Sequence, residues 1–143
     1  MVPSQQPIVM STFDFRRLEQ LCALLRARPR SVSEVEASLS ALESELGRAE
    51  VVLPQRVPAE VVTMNSEVLL SDLDTGEQRS VKLVFPGSRR DQASSVSVFS
   101  PIGMALLGSR ERAELRCPAP GRVCRLRVDR MLYQPEAAGH FEL

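Results

Sequence analysis

The chain has 143 residues, enough for one ordinary domain or for a small domain with a helical appendage. Hydrophobic residues make up 43% and charged residues 25%, a balance typical of a soluble globular protein. The 18 basic and 18 acidic side chains cancel, which disfavours direct specific DNA binding, and no apolar run approaches the roughly 20 residues of a membrane helix.

The first predicted element is a helix that begins near residue 12. Its apolar residues recur at helical spacing: Phe15, Leu18, Leu21, Cys22 and Leu25. Ser11 or Thr12 can cap its first turn, and Asp14 lies where an acidic side chain favours the helix dipole. Pro29 ends the helix, because proline disfavours helical geometry at the residue before it.

A second helix starts directly afterwards. Ser31 and Glu34 have the spacing of a capping box. The apolar residues that follow alternate steps of three and four, the seam of a coiled coil: Val32, Val35, Leu39, Leu42 and Leu46. Because only two or three residues join the helices, we predict an antiparallel hairpin over residues 12–50.

Residues 51–60, which contain two prolines, are predicted as a linker to a domain over residues 61–143. In that domain the apolar period changes to two, and five short strands are predicted around residues 68–70, 79–85, 96–98, 113–117 and 124–132. Ser100 and Pro101 open a short apolar helix over residues 102–107. Arg130 interrupts the apolar face of the last strand, so a bulge lies there or its stem reaches outward. The predicted class is α+β.

Four segments carry a resemblance to a known family. Residues 61–66, 83–86, 97–108 and 133–139 occur in the order found in the Rnk family, the regulators of nucleoside diphosphate kinase, which is related to the Gre transcript-cleavage factors. The resemblance implies an N-terminal two-helix coiled coil and an FKBP-like domain, in which an antiparallel sheet of about five strands surrounds one short helix.

The resemblance also implies binding to RNA polymerase at the rim of its secondary channel. In Gre factors the loop with the Ser-Pro motif docks on the polymerase, and the matching positions here are Phe99, Ser100, Pro101 and Ile102. A purely structural role for Ser100 and Pro101, as the cap and first residue of the short helix, is compatible with docking. An alternative partner is another cytosolic protein, such as nucleoside diphosphate kinase.

Gre factors place two acidic residues at the coiled-coil tip to help position a catalytic metal. Here the tip is basic, with Arg28, Pro29 and Arg30, and the nearest acids are Glu34 and Glu36. At a spacing of two these acids do not share a helix face, so they are assigned to capping and dipole compensation. We therefore expect occupancy of the channel without stimulated transcript cleavage, no bound cofactor or metal, and no enzymatic activity.

The remaining chemistry is sparse. Prolyl isomerisation is disfavoured because the FKBP-like domain is poor in aromatic residues and fold does not imply activity. His140 is interpreted as part of a surface tail. Cys117 and Cys124 flank a turn and are interpreted as small hydrophobic residues, with a disulfide or partial zinc site as the alternative, while Cys22 is assigned to the core.

The last strand carries an arginine cluster that is either a solvated face or a site for an acidic protein or phosphate. Its members are Arg122, Arg125 and Arg127. An odd number of cysteines and the absence of a signal-like N-terminus predict a cytoplasmic protein. An exposed hairpin seam would permit weak dimerisation, so a monomer or a weak dimer is expected.

Overall fold

The computed structural model describes residues 7–27, 33–86, 94–119 and 121–141. Two helices come first, α1 (Thr12–Arg26) and α2 (Ser33–Arg48). Two three-residue strands that the sequence analysis did not predict flank them, β1 (Val9–Ser11) and β2 (Glu50–Val52), and these pair in parallel. The entry to and the exit from the hairpin are therefore joined to each other.

The predicted cap of α1 is confirmed, because the Ser11 hydroxyl accepts a hydrogen bond from the Asp14 N–H at 3.0 Å. The two helices are antiparallel, since Arg26 at the end of α1 bonds Glu36 near the start of α2. Five apolar residues of their seam are buried: Leu18, Cys22, Leu39, Leu42 and Leu46. The assignment of Cys22 to the core is thus confirmed.

The second half forms a five-stranded sheet in the order β5-β4-β3-β7-β6. The strands are β3 (Glu67–Asp72), β4 (Gln78–Val84), β5 (Ser95–Ser97), β6 (Glu114–Ala119) and β7 (Arg122–Tyr133). Neighbours are antiparallel as expected except for β4 and β5, which are parallel, so the expectation of an antiparallel sheet is wrong for this pair and the sheet is mixed. The α+β class, with a helical hairpin before a sheet domain, is confirmed.

The irregularity predicted at Arg130 is a β-bulge. The register between β3 and β7 pairs Leu69 with Arg130 and Leu70 with Val128, so β7 contains one extra residue at this point. Val128 consequently faces the core together with Leu70, and both are buried. Arg130 remains exposed on the other face.

The short helix α3 (Pro101–Leu106) packs against the sheet and completes the core. That core is continuous with the hairpin: one buried cluster includes Leu18 and Leu42 from the helices as well as Met64, Val81 and Leu106 from the second half. Within residues 51–60, the predicted linker, the chain carries the end of β2 and a 3-10 helix, Pro54–Arg56.

Candidate partner-binding site

The Ser-Pro corner is defined as residues 99–102. Hydrogen bonds in which the Ser100 hydroxyl acts as both donor and acceptor hold it in place. This oxygen accepts from the Gly103 N–H at 3.0 Å and donates to the Ser97 carbonyl at 2.7 Å. The Ser100 N–H donates to the same carbonyl at 2.9 Å. The capping role of Ser100 is therefore confirmed, and its side chain is engaged within the chain.

The corner has no space for a larger residue at Gly103. A Cβ atom added there would lie 1.9 Å from the backbone oxygen of Ser97, so only glycine permits this approach of α3 to the end of β5. Phe99 and Ile102 are half-buried and pack against the core, whereas Pro101 is exposed at the first position of α3. The structure thus presents one predicted contact residue, Pro101, on a rigid support formed by the other three.

The hairpin lies beside this corner. The Ser38 hydroxyl of α2 donates to the Phe99 carbonyl at 3.2 Å. Ser38 is ten residues from Arg48 along α2, a distance of about 15 Å at 1.5 Å per residue, so this contact lies in the first half of the helix. The part of α2 beyond this contact, back to Ser33, extends only about 8 Å.

Arg26 links the two helices near the tip of the hairpin. Its guanidinium bonds Glu36, the Glu43 carboxylate at 2.8 Å and the Ser40 hydroxyl at 3.1 Å. The hydrogen bond from Arg26 holds the pKa of Glu43 below its usual value, and the same contacts raise the pKa of Arg26. Sequence reasoning identified a basic tip but missed this ion-pair cluster.

The other predicted tip residues are placed as follows. Arg28, Pro29 and Arg30 lie outside the described residues, as does Ser31 of the predicted capping box. Glu34 lies in the first turn of α2, where only the backbone is described. Of the two predicted acids, Glu36 is therefore the one with a known partner, and that partner is a cation of the other helix.

A buried acidic residue that sequence reasoning missed joins the hairpin to the sheet domain. Asp14 is 1% exposed; one carboxylate oxygen accepts from the Met64 N–H at 3.0 Å and the other from Arg17 at 2.5 Å. Burial, aided by the negative charge of the nearby Glu136, raises the pKa of Asp14 to about 6 against the opposing effect of the Arg17 hydrogen bond. In the sequence, the ion pair between Asp14 and Arg17 is indicated by their three-residue spacing.

Arg17 adds a second contact at this junction. Its guanidinium carbon lies 4.2 Å from the ring centre of Phe13 and 4.8 Å from that of Phe85, which follows β4. The α1 helix is thus fixed to the sheet domain by a buried carboxylate and a cation stacked between two aromatic rings.

The structure also locates the two cysteines and the histidine that were considered in the sequence, as well as a surface groove. Cys117 and Cys124 are cross-strand partners in the β6–β7 register; both are free thiols, and Cys117 is buried. His140 is exposed, as predicted, and its Nδ1 hydrogen-bonds the Tyr133 hydroxyl. A groove of about 350 Å³ lies between β1, α3 and β6, and no aromatic residue lines it within the described chain.

Among the described residues, no group of three or more histidine, cysteine, aspartate or glutamate side chains is arranged to hold a metal ion. The helices of that part of the chain also lack the length and apolar character needed to cross a membrane.

Comparisons with known proteins match both halves of the chain. The family model described as the Rnk N-terminus matches residues 6–52, and the model described as the C-terminal part of the transcription elongation factors GreA/GreB matches residues 57–131. The chain is 43% identical over 104 residues to the "Regulator of nucleoside diphosphate kinase" of Escherichia coli strain K12, covering 72% of this chain and 76% of that protein.

Transcription elongation factors are also similar. GreA of Desulfotalea psychrophila is 38% identical over 87 residues, which cover 61% of this chain and 54% of that protein. The solved structure of a GreA/GreB factor from Nitrosomonas europaea superposes with a TM-score of 0.73 at 35% identity, covering 90% of this chain and all of that one.

Proposed function

This chain belongs to the Rnk family of GreA/GreB-related proteins, and from that premise we propose that it binds RNA polymerase at the rim of the secondary channel and regulates transcription by occupying it. The Ser-Pro corner is the docking element, with Pro101 as the exposed contact and Phe99, Ser100 and Ile102 as its support. In this proposal the protein acts in the cytoplasm, has no catalytic activity and needs no cofactor.

The observation that carries the proposal is the combination of rigidity and exposure at the corner. The hydroxyl of Ser100 and the backbone of Gly103 fix the start of α3, and Pro101 projects from it into solvent. A preorganised apolar contact loses little conformational entropy on binding, which favours its use in docking.

Occupancy without stimulated cleavage is supported by the state of the tip. Arg26 forms ion pairs with both Glu36 and Glu43, and the neighbouring sequence adds Arg28 and Arg30. The described part of α2 extends about 8 Å beyond its contact with Phe99. We expect the protein to leave the cleavage rate of a backtracked elongation complex unchanged, and an increase in that rate would contradict this part of the proposal.

Binding is tested with core RNA polymerase from the organism that is the source of the chain, using biolayer interferometry. Pro101→Glu should weaken the affinity at least about tenfold, because a carboxylate replaces an apolar contact while helix α3 tolerates an acid in its first turn. Pro7→Ala, at an exposed proline outside the corner, should bind like the wild type. Equal affinities for all three proteins would refute docking through the corner.

The second candidate is a regulator that binds nucleoside diphosphate kinase. It is favoured by the name of the Escherichia coli relative, which shares 43% identity with this chain. The same interferometry with the kinase immobilised separates the two proposals: binding to the kinase without binding to the polymerase would favour this candidate.

A further inference from the structure

We propose that the outer face of the β6–β7 hairpin binds an acidic, partly apolar segment of a partner protein. The surface, here termed the arginine face, consists of Arg116, Arg125 and Arg127 together with Pro118 and Val123. This proposal does not depend on the polymerase proposal, since it concerns a different surface from the Ser-Pro corner.

The strand register places like charges directly opposite each other. Arg116 of β6 is the cross-strand partner of Arg125 of β7, and both side chains are exposed. Such a pair has Cβ atoms roughly 5 Å apart, and like charges at this position destabilise a sheet in the absence of a counter-charge. Arg127 lies two residues further along the same face of β7, where its cross-strand partner is Glu114 of β6.

The carboxylates of the described chain supply only part of that counter-charge. Asp74 is shared between Arg122 and Arg125, at 3.3 Å from each. Arg127 pairs with Asp129 at 2.7 Å. Arg116 has no ion-pair partner among the residues that the structure describes. Because Arg116 lies beside Arg125, a carboxylate from a partner protein could contact both side chains.

The two hairpin strands are also basic as a unit within a neutral chain. They contain five arginines and two acidic residues, Glu114 and Asp129. The arginine side chains with known ion pairs on this hairpin remain about half exposed: 49% for Arg122, 50% for Arg125 and 47% for Arg127. Their guanidinium groups therefore keep free donors for a bidentate carboxylate contact.

An apolar cross-strand pair lies next to the arginine pair on the same face, and it favours a protein as the partner. Pro118 and Val123 are the next cross-strand pair after Arg116 and Arg125, and Val123 is 57% exposed. A nucleic acid fits this face less well, because single-stranded binding surfaces stack bases on aromatic side chains and residues 114–132 contain none.

The test is fluorescence anisotropy of the full chain with a labelled peptide that alternates glutamate and leucine. The wild type should bind it with an affinity that falls as salt concentration rises. The double substitution Arg116→Ser with Arg125→Ser should weaken binding at least about tenfold. Arg16→Ser with Arg56→Ser, which removes the same charge from exposed positions elsewhere, should stay within about twofold of the wild type.

Val123→Ser provides a second, charge-neutral readout: it should weaken binding while leaving the salt dependence unchanged. Circular dichroism verifies that each variant is folded. Absence of peptide binding by the wild type, or equal binding by the two double variants, would overturn the proposal. Tighter binding of a labelled oligothymidylate through the same arginines would overturn the choice of a protein partner.

Discussion

Asp14 is a carboxylic acid held away from water at the point where α1 meets the sheet domain. In the unfolded chain its pKa is the ordinary 3.8, whereas burial raises the pKa to about 6 in the folded protein. Between these values the folded state binds a proton that the unfolded state has released. The contribution of Asp14 to stability is therefore fully present below pH 4 and is lost as pH rises towards 6.

We predict that this pH dependence disappears in Asp14→Asn, which keeps an oxygen acceptor for the Met64 N–H. Urea unfolding of both proteins from pH 4 to pH 7 measures it. The stability of the wild type relative to the variant should fall by about 2–3 kcal/mol over this range, the equivalent of the pKa difference. A constant difference between the two proteins would show that Asp14 does not titrate as described.

Gly103 and Gly47 form a matched pair of glycines in helices. Gly103→Ala should destabilise the protein by about 1–3 kcal/mol or more, because the new Cβ meets the Ser97 carbonyl at 1.9 Å and the start of α3 must shift. Gly47→Ala, with no atom within 4 Å of the new Cβ, should stabilise α2 by about 0.5–1 kcal/mol. Urea unfolding distinguishes them, and equal effects would contradict the close approach at the corner.

Among whole elements, α1 and α2 are joined near the tip of the hairpin by Arg26, the tip cation that lies in the described part of the chain. Arg26→Ala removes the bonds to Glu36, Ser40 and Glu43. We predict faster amide hydrogen exchange in the first half of α2 with little change in global stability, because exposed ion pairs contribute little to folding. Arg16→Ala, an exposed arginine of α1, is the control and should leave exchange in α2 unchanged.

Elements with a clear period could be predicted from the sequence. The helical hairpin, the strands around Val68, Val81 and Leu126, and the cap of α3 were found because apolar spacing and capping residues report on local structure. The β1–β2 pair was missed, since a three-residue strand is too short to show a period. The parallel pairing of β5 was also missed, because pairing direction depends on the path of the connection.

In the candidate site, too, local features could be predicted from the sequence and long-range contacts could not. Ser100 as the cap was predictable, because its role is local. The contacts Ser38–Phe99 and Asp14–Met64 join residues 61 and 50 positions apart, and nothing in the local sequence reports on such pairs. The neutralisation of Glu36 by Arg26 also crosses from one helix to the other, so helix periodicity alone could not indicate it.

At the scale of the molecule, the helical hairpin and the sheet domain share one hydrophobic core. We predict that they unfold together. In urea, the far-UV circular dichroism of the helices and the fluorescence of Tyr133, the one tyrosine of the chain, should give the same midpoint. An earlier loss of helix would contradict the shared core.

A substitution in the core provides a second test of whether the helical hairpin and the sheet domain unfold together. Leu42→Ala, at a fully buried position of α2, should lower the free energy of unfolding by about 2–5 kcal/mol for both probes. Leu24→Ala, at a leucine of α1 that is 67% exposed, should change it by less than about 0.5 kcal/mol. If Leu42→Ala shifted only the helical signal, the two halves would be independent.

If the Ser-Pro corner docks on RNA polymerase at the site where a GreA factor docks, the two proteins must compete for that site. Labelled GreA bound to core RNA polymerase is titrated with this protein. We predict complete displacement of GreA by the wild type, with an apparent affinity that weakens as the GreA concentration rises, and at least about tenfold weaker displacement by Pro101→Glu. GreA that stays bound at saturating protein, or equal displacement by both proteins, would contradict the claim.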